Sequence, residues 1–163
     1  MTLHNELSKL LILGAGVAGL IGVLVAKTSI TTYAATEAGG AILSPGTATT
    51  PDGNTHIRGY TRKYIRTASD PRVDHGDLTV VLNLNLDKTM SGPAWGTFTW
   101  HIGNGSWEGT AEGEFNLVTG IGHYESVGHG AGDFRGLQLR ETCVYSGGPE
   151  GSCTGRIIDV GGN

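Results

Sequence analysis

The sequence predicts an all-β protein: a closed, antiparallel β-barrel of about eight strands, preceded by an N-terminal hydrophobic helix. Residues 78 to 87 alternate apolar and polar side chains, as in a strand with one buried face. The 28 glycines are spread along the chain, where they allow strands to bend and coil. Beyond residue 40, no segment has the periodicity of an amphipathic helix.

Length and charge limit the possible functions. A chain of 163 residues fits one domain and leaves no room for a second enzyme domain. The formal net charge is only −4, and the few cations include one short cluster, Arg58, Arg62, Lys63 and Arg66. Because no extended basic face is present in the sequence, we expect no nucleic-acid partner.

Residues 10 to 26 are uncharged and apolar, and Lys9 and Lys27 flank them. This pattern predicts a membrane-directed segment, so residues 1–38 are interpreted as a signal peptide or membrane anchor. Small residues make cleavage after Ala34 or Ala38 plausible. The predicted location is therefore secreted, or membrane-anchored outside the cytoplasm, with membrane contact through this segment only.

The same segment also contains a GxGxxG pattern at Gly14, Gly16 and Gly19, and Glu37 lies where a ribose-binding acid is expected. This resembles the opening of a flavin-binding Rossmann domain. A dinucleotide crevice also needs a strand before the glycines, an amphipathic helix after them and further parallel strands. The sequence that follows is apolar on all sides and then threonine-rich, so the membrane-directed interpretation is preferred.

Residues 39–55 combine Gly, Pro, Thr and Ser with the turn sequence Pro51-Asp52-Gly53, which predicts a linker. The barrel domain is then expected over residues 56–163. Its predicted strands lie near residues 56–67, 78–87, 94–102, 107–115, 120–128, 134–145 and 154–160. Gly103-Asn104-Gly105 is a tight hairpin signal, because Asn and Gly tolerate positive φ.

Cys143 and Cys153 flank a turn-rich loop between the last two predicted strands. Paired strands would bring them within bonding distance, and an exported chain would oxidise them, so we predict a disulfide. Two buried free thiols are the alternative. A metal site on this pair is not expected, because the sequence has neither CxxC spacing nor a neighbouring His to complete four ligands.

Several segments together resemble the allene oxide cyclase barrel-like proteins, which belong to the calycin group. They are Gly96–Trp100, Asn104–Thr110, Gly120–Tyr124, Gly128–Gly132 and Phe134–Leu137. The resemblance implies an eight-stranded barrel with a largely apolar lumen, often in a dimer or trimer, that holds a hydrophobic substrate during cyclisation or isomerisation. Dirigent proteins are similar in architecture. The catalytic positions of these groups are not carried over to residues of this chain.

Candidate catalytic residues are His123 and Glu125, which alternate along one strand and project to the same side, so they could exchange protons. If that face points outward, they are a solvated pair. Glu108, Glu112 and Glu114 form a carboxylate row that could bind Ca²⁺ or be a solvated face. The candidate ligand-binding residues are aromatic: Phe98, Trp100, Trp107 and Tyr124. No metal or cofactor is expected.

The predicted function is binding of a small hydrophobic molecule by an exported barrel that acts as an isomerase or cyclase. The alternatives are a non-catalytic, dirigent-type scaffold and a structural cell-surface protein that forms homo-oligomers. A lumen blocked by Phe98, Trp100 or Leu84, or a lumen that no ionisable group reaches, would exclude the enzyme.

Overall fold

The computed structural model describes residues 28–148 and 150–160 and shows a closed, antiparallel barrel. The strands of this part of the chain are β1 (Ser29–Ser44), β2 (Thr47–Thr49), β3 (Thr55–Ala68), β4 (Asp77–Leu86), β5 (Ser91–Ile102), β6 (Gly105–Asn116), β7 (Ile121–Gly132), β8 (Leu137–Ser146) and β9 (Glu150–Asp159). β1 pairs with both β9 and β3, which closes an eight-stranded barrel and leaves β2 as a short addition beside β3. The predicted fold class is confirmed, and closure satisfies the strand edges.

The barrel begins earlier than predicted. β1 and β2 cover most of residues 29–49, so residues 39–55 are not a linker and the barrel does not start at residue 56. In β1 the buried side chains are Tyr33, Ala35 and Glu37, and exposed residues lie between them. This alternation is hard to recognise in sequence, because only one of the three inward residues is a large apolar type. Cleavage after Ala34 or Ala38 would cut β1.

The predicted N-terminal helix and the glycine motif at residues 14–19 lie outside the described residues. Within residues 28–148 and 150–160, no helix is long and apolar enough to cross a membrane. The helix assigned there is a single 3-10 turn, Pro71–Val73.

Strands β4 to β9 follow the predicted alternation. Gly103 and Asn104 form the two-residue turn between β5 and β6, and Gly103 has a φ of 57°. Phe98 points into the barrel, where its ring lies against Gly109 and Gly128 of the two neighbouring strands. A Cβ at either glycine would lie 2.8 Å from that ring, so these glycines provide the space for Phe98.

The predicted disulfide is also confirmed. Cys143 of β8 and Cys153 of β9 are directly opposite partners, and their sulfurs are 1.94 Å apart. Both side chains face the interior and are buried. The bond therefore crosslinks two adjacent strands inside the barrel, near the chain's C-terminus.

One end of the barrel is covered by residues 69–76, which we call the cap segment. Val73 of this segment is fully buried in the same apolar cluster as Trp100 and Trp107. The Trp100 indole donates to the His75 carbonyl at 2.6 Å, and the Trp107 indole donates to the Arg72 carbonyl at 2.8 Å. A second, smaller apolar cluster contains Leu84, Leu86 and Ala94.

Candidate functional site

The barrel interior contains an ionic cluster of three residues from three strands, Glu37 (β1), Arg66 (β3) and Glu141 (β8), which we call the interior cluster. Their side chains are only 2–3 % exposed. Strand alternation explains the position of Glu141, because Leu139 and Cys143 on either side of it are also buried. A buried carboxylate is costly unless it is paired and hydrogen-bonded, so its partners decide whether it is tolerated.

Arg66 joins the two carboxylates. Its Nη1 donates to Glu37 Oε2 at 3.1 Å and to Glu141 Oε1 at 2.9 Å, and its Nη2 donates to Glu141 Oε2. The contact with Glu141 is thus bidentate, the geometry in which a planar guanidinium pairs best with a carboxylate. The guanidinium also lies over the ring of Trp100, 4.9 Å from its centroid.

Three tyrosines complete the hydrogen bonding. Tyr33 donates to Glu141 Oε2 at 2.7 Å, while Tyr124 and Tyr145 donate to Glu37 Oε1 at 2.9 and 2.7 Å. Burial raises the pKa of all three phenols, and the nearby Glu37 carboxylate raises it further. The phenols therefore stay protonated near neutral pH and act as donors.

One donor of the interior cluster is left over. Nε of Arg66 is buried and has no hydrogen-bond partner within the described ranges of the chain. Such a donor is unusual in a folded protein and is destabilising unless a bound molecule satisfies it. Its position matters because Arg66 also lines a cavity.

The cavity has a volume of about 50 Å³. Its wall is mainly apolar, and the polar side is formed by the interior cluster together with Tyr64, Tyr124 and Ser126. The apolar wall includes Leu78, Val80, Leu82, Ala94, Phe98, Trp100, Ala111, Phe115 and Leu139. This volume holds about four water-sized groups and is roughly a third of the cavity that binds benzene elsewhere.

The structure divides the predicted ligand-binding residues. Phe98, Trp100 and Tyr124 line the cavity. Trp107 also points inward, but it is fully buried against Phe134, with ring centroids 5.2 Å apart, and lies in the packed core beneath the cap segment instead of at the cavity wall.

The predicted catalytic pair, His123 and Glu125, lies on the outer face of β7, and both side chains are exposed. They cannot reach a molecule inside the barrel, because inward positions of β7 are taken by Tyr124 and Ser126. Their cross-strand partners are Glu114 and Glu112, which are exposed too. The pair therefore belongs to a solvated acidic surface.

Sequence reasoning missed the interior cluster. Glu37 was interpreted as the end of the leader, and Arg66 as part of a short cationic stretch. The available signal was Glu141, a single acid at an inward position of the alternating segment Leu139–Cys143. An isolated charge in a buried register predicts an oppositely charged partner on another strand.

The interior cluster also bears on metal binding. Ligand atoms of Glu37, Glu141, Cys143 and Cys153 lie within 4.8 Å of one another. The two cysteines are joined as a disulfide, so they do not supply thiolate ligands. Arg66 already pairs with both carboxylates, so this group of residues is better suited to the guanidinium than to a metal ion.

Comparisons of this chain with protein-family models, with curated proteins and with solved structures find no match. The geometry defines the class: a closed, eight-stranded antiparallel β-barrel with one internal disulfide, compatible with ligand binding in its interior.

Proposed function

We propose that the barrel binds a small, mostly apolar molecule in its interior cavity. The observation that carries the proposal is a buried ionic cluster with an unpaired donor on the wall of an otherwise apolar cavity. Apolar side chains would stabilise the interior at least as well as a buried ion pair, so stability alone does not explain these charges. Apolar pockets with a few convergent polar groups are typical of ligand sites.

The cavity limits the ligand. About 50 Å³ suits a molecule of roughly four non-hydrogen atoms without rearrangement. A larger ligand requires displacement of wall side chains such as Phe98 or Phe115. Phe115 is the easier of the two to move, since it is only half-buried, whereas Phe98 is buried against two glycines.

Xenon binding tests the proposal, because xenon probes an apolar cavity regardless of ligand chemistry. Under xenon pressure, we expect saturable shifts in the NMR methyl signals of Leu78, Val80 and Ala111. Ala111→Leu adds a side chain at the cavity wall and should abolish these shifts. The matched control is Thr110→Leu on the outer face of the same strand, which should leave them intact. Absence of saturable shifts in the unmodified protein would refute the proposal.

A second candidate is an isomerase or cyclase of the allene oxide cyclase type. It is favoured by Tyr124 and Tyr145, two neutral phenols that donate to the same oxygen of Glu37, with Tyr124 and Glu37 at the cavity wall. Such a group could remove a proton α to a carbonyl and return it elsewhere. In deuterated water, the protein should accelerate deuterium uptake by acetone, and Glu37→Gln should eliminate the acceleration. Equal rates with and without protein would exclude this chemistry.

We also propose an extracytoplasmic location, supported by the apolar residues 10–26 and by the disulfide. Any leader must be removed before β1, because Tyr33 is buried in the barrel. Sequencing the N-terminus of the mature protein tests this. A start beyond Ser29 would contradict the proposed barrel, and an intact Met1 in membranes would indicate a retained anchor.

A further inference from the structure

We infer that the cavity selects an uncharged hydrogen-bond acceptor, such as the carbonyl oxygen of a small ketone, which accepts from Nε of Arg66. The inference rests on the proposed function, since it specifies the chemistry of the molecule that enters the cavity. It follows from three properties of the site: the free donor, the charge around it and the shape of the space.

The first property is the donor. Both terminal nitrogens of Arg66 are bound to Glu37 and Glu141, so Nε is the N–H group left to contact a molecule in the cavity. Within the part of the chain that the structure describes, no protein atom accepts from it. A ligand with an acceptor satisfies this buried donor, whereas a hydrocarbon of the same shape leaves it unsatisfied.

The second property is charge. The interior cluster contains two carboxylates and one guanidinium, and three phenols already donate to the carboxylates. An anionic ligand would add a third negative charge in a region of low dielectric, where repulsion is strong. A cationic ligand would meet the Nε–H of Arg66 and find carboxylate oxygens that already accept hydrogen bonds. An uncharged acceptor avoids both costs.

The third property is the shape of the space. The polar side is narrow, and the remaining wall consists of aliphatic and aromatic side chains such as Val80, Leu82 and Phe98. A compact molecule with one oxygen and an apolar body matches this division. Acetone has four non-hydrogen atoms and fits the volume of about 50 Å³.

Four probes of nearly equal size separate the possibilities: acetone, isobutene, acetate and isopropylammonium. Each is titrated into the full-length protein with the disulfide intact, and binding is followed by the NMR signal of the Trp100 indole, which lies beside both Arg66 and the cavity. We expect acetone to bind about tenfold more tightly than isobutene. Acetate and isopropylammonium should produce no saturable shift.

Arg66→Lys is the matched variant, because it keeps a positive charge near the carboxylates and removes Nε. In this variant, isobutene should bind as before and acetone should lose its advantage. The comparison of probes on the unmodified protein does not depend on whether this variant folds. Tightest binding of isobutene, acetate or isopropylammonium would overturn the inference but leave the proposed function standing. Failure of every probe and of xenon to enter would overturn both.

Discussion

The two faces of the barrel wall use glutamate in opposite ways. Glu112 and Glu125 lie directly opposite each other on the outside of β6 and β7, and both are exposed. Glu37 and Glu141 lie inside, where Arg66 and three tyrosines bind them. Outside, water and salt screen the charges, so their interactions are weak; inside, each charge depends on its partners. The lesson is that strand register decides what a carboxylate does.

The largest expected effect comes from removing the interior cation. Arg66→Met leaves two buried carboxylates without their counter-charge and should lower the free energy of unfolding by about 3–5 kcal/mol. The matched control is Arg140→Met on the exposed face of β8, which should change it by less than about 0.5 kcal/mol. Urea unfolding measures both variants. Similar effects for the two would show that inside and outside charges are equivalent.

The disulfide beside the interior cluster should give the next largest effect. Replacing both Cys143 and Cys153 by Ala removes a crosslink between residues 10 apart in sequence. The loss expected from chain entropy is about 2–3 kcal/mol, with the barrel still formed. Denaturant midpoints with and without a reductant, compared with the double variant, measure it. An unchanged midpoint for the double variant would mean that strand pairing alone holds β8 to β9.

Acid should loosen the cap segment through outer carboxylates that have local partners. A hydrogen bond from the Ala68 amide lowers the pKa of Asp74, and hydrogen bonding to Arg72 lowers that of Asp70. A carboxyl with a lowered folded-state pKa stabilises the fold above its unfolded value, near pH 4, and this stabilisation is lost as the pH falls through the folded-state pKa.

This sign predicts that Asp74→Asn weakens the cap segment at pH 7 and has little effect at pH 2. Hydrogen exchange of the Ala68 amide, which donates to Asp74 at 2.7 Å, is the direct measurement. If the variant exchanges as slowly as the unmodified protein at pH 7, Asp74 does not hold this segment.

The smallest effect is expected from the outer glutamates, and its sign should be reversed. Glu112→Gln removes like-charge repulsion with Glu125 across the strand pair, so stability should rise by a few tenths of a kcal/mol at low salt. High salt should remove the gain, because exposed charges are screened. Thermal unfolding at two salt concentrations suffices. A loss of stability would indicate a role for this surface that water screening does not describe.

Much of the barrel could be predicted from sequence, because β4 and β5 alternate over whole strands and Gly103-Asn104 predicts their neighbouring hairpin. The disulfide followed from the same strand pairing. β1 was missed because its inward residues include an alanine and a glutamate.

The candidate site could not be assembled from sequence for a different reason. Arg66 lies 29 residues from Glu37 and 75 from Glu141, and strand closure alone brings them together. Local alternation places His123 and Glu125 on one face but does not say which face is inside, so the predicted catalytic pair fell on the outer surface.

The exchange of the Arg66 Nε proton with solvent tests the central contrast between inner and outer charges most directly. In an arginine-selective NMR spectrum at neutral pH, the buried Nε–H should give a persistent signal that Arg66→Lys removes, while exposed arginines such as Arg140 exchange too fast to be seen. An Arg66 signal that exchanges as rapidly as that of Arg140 would contradict a buried interior cluster.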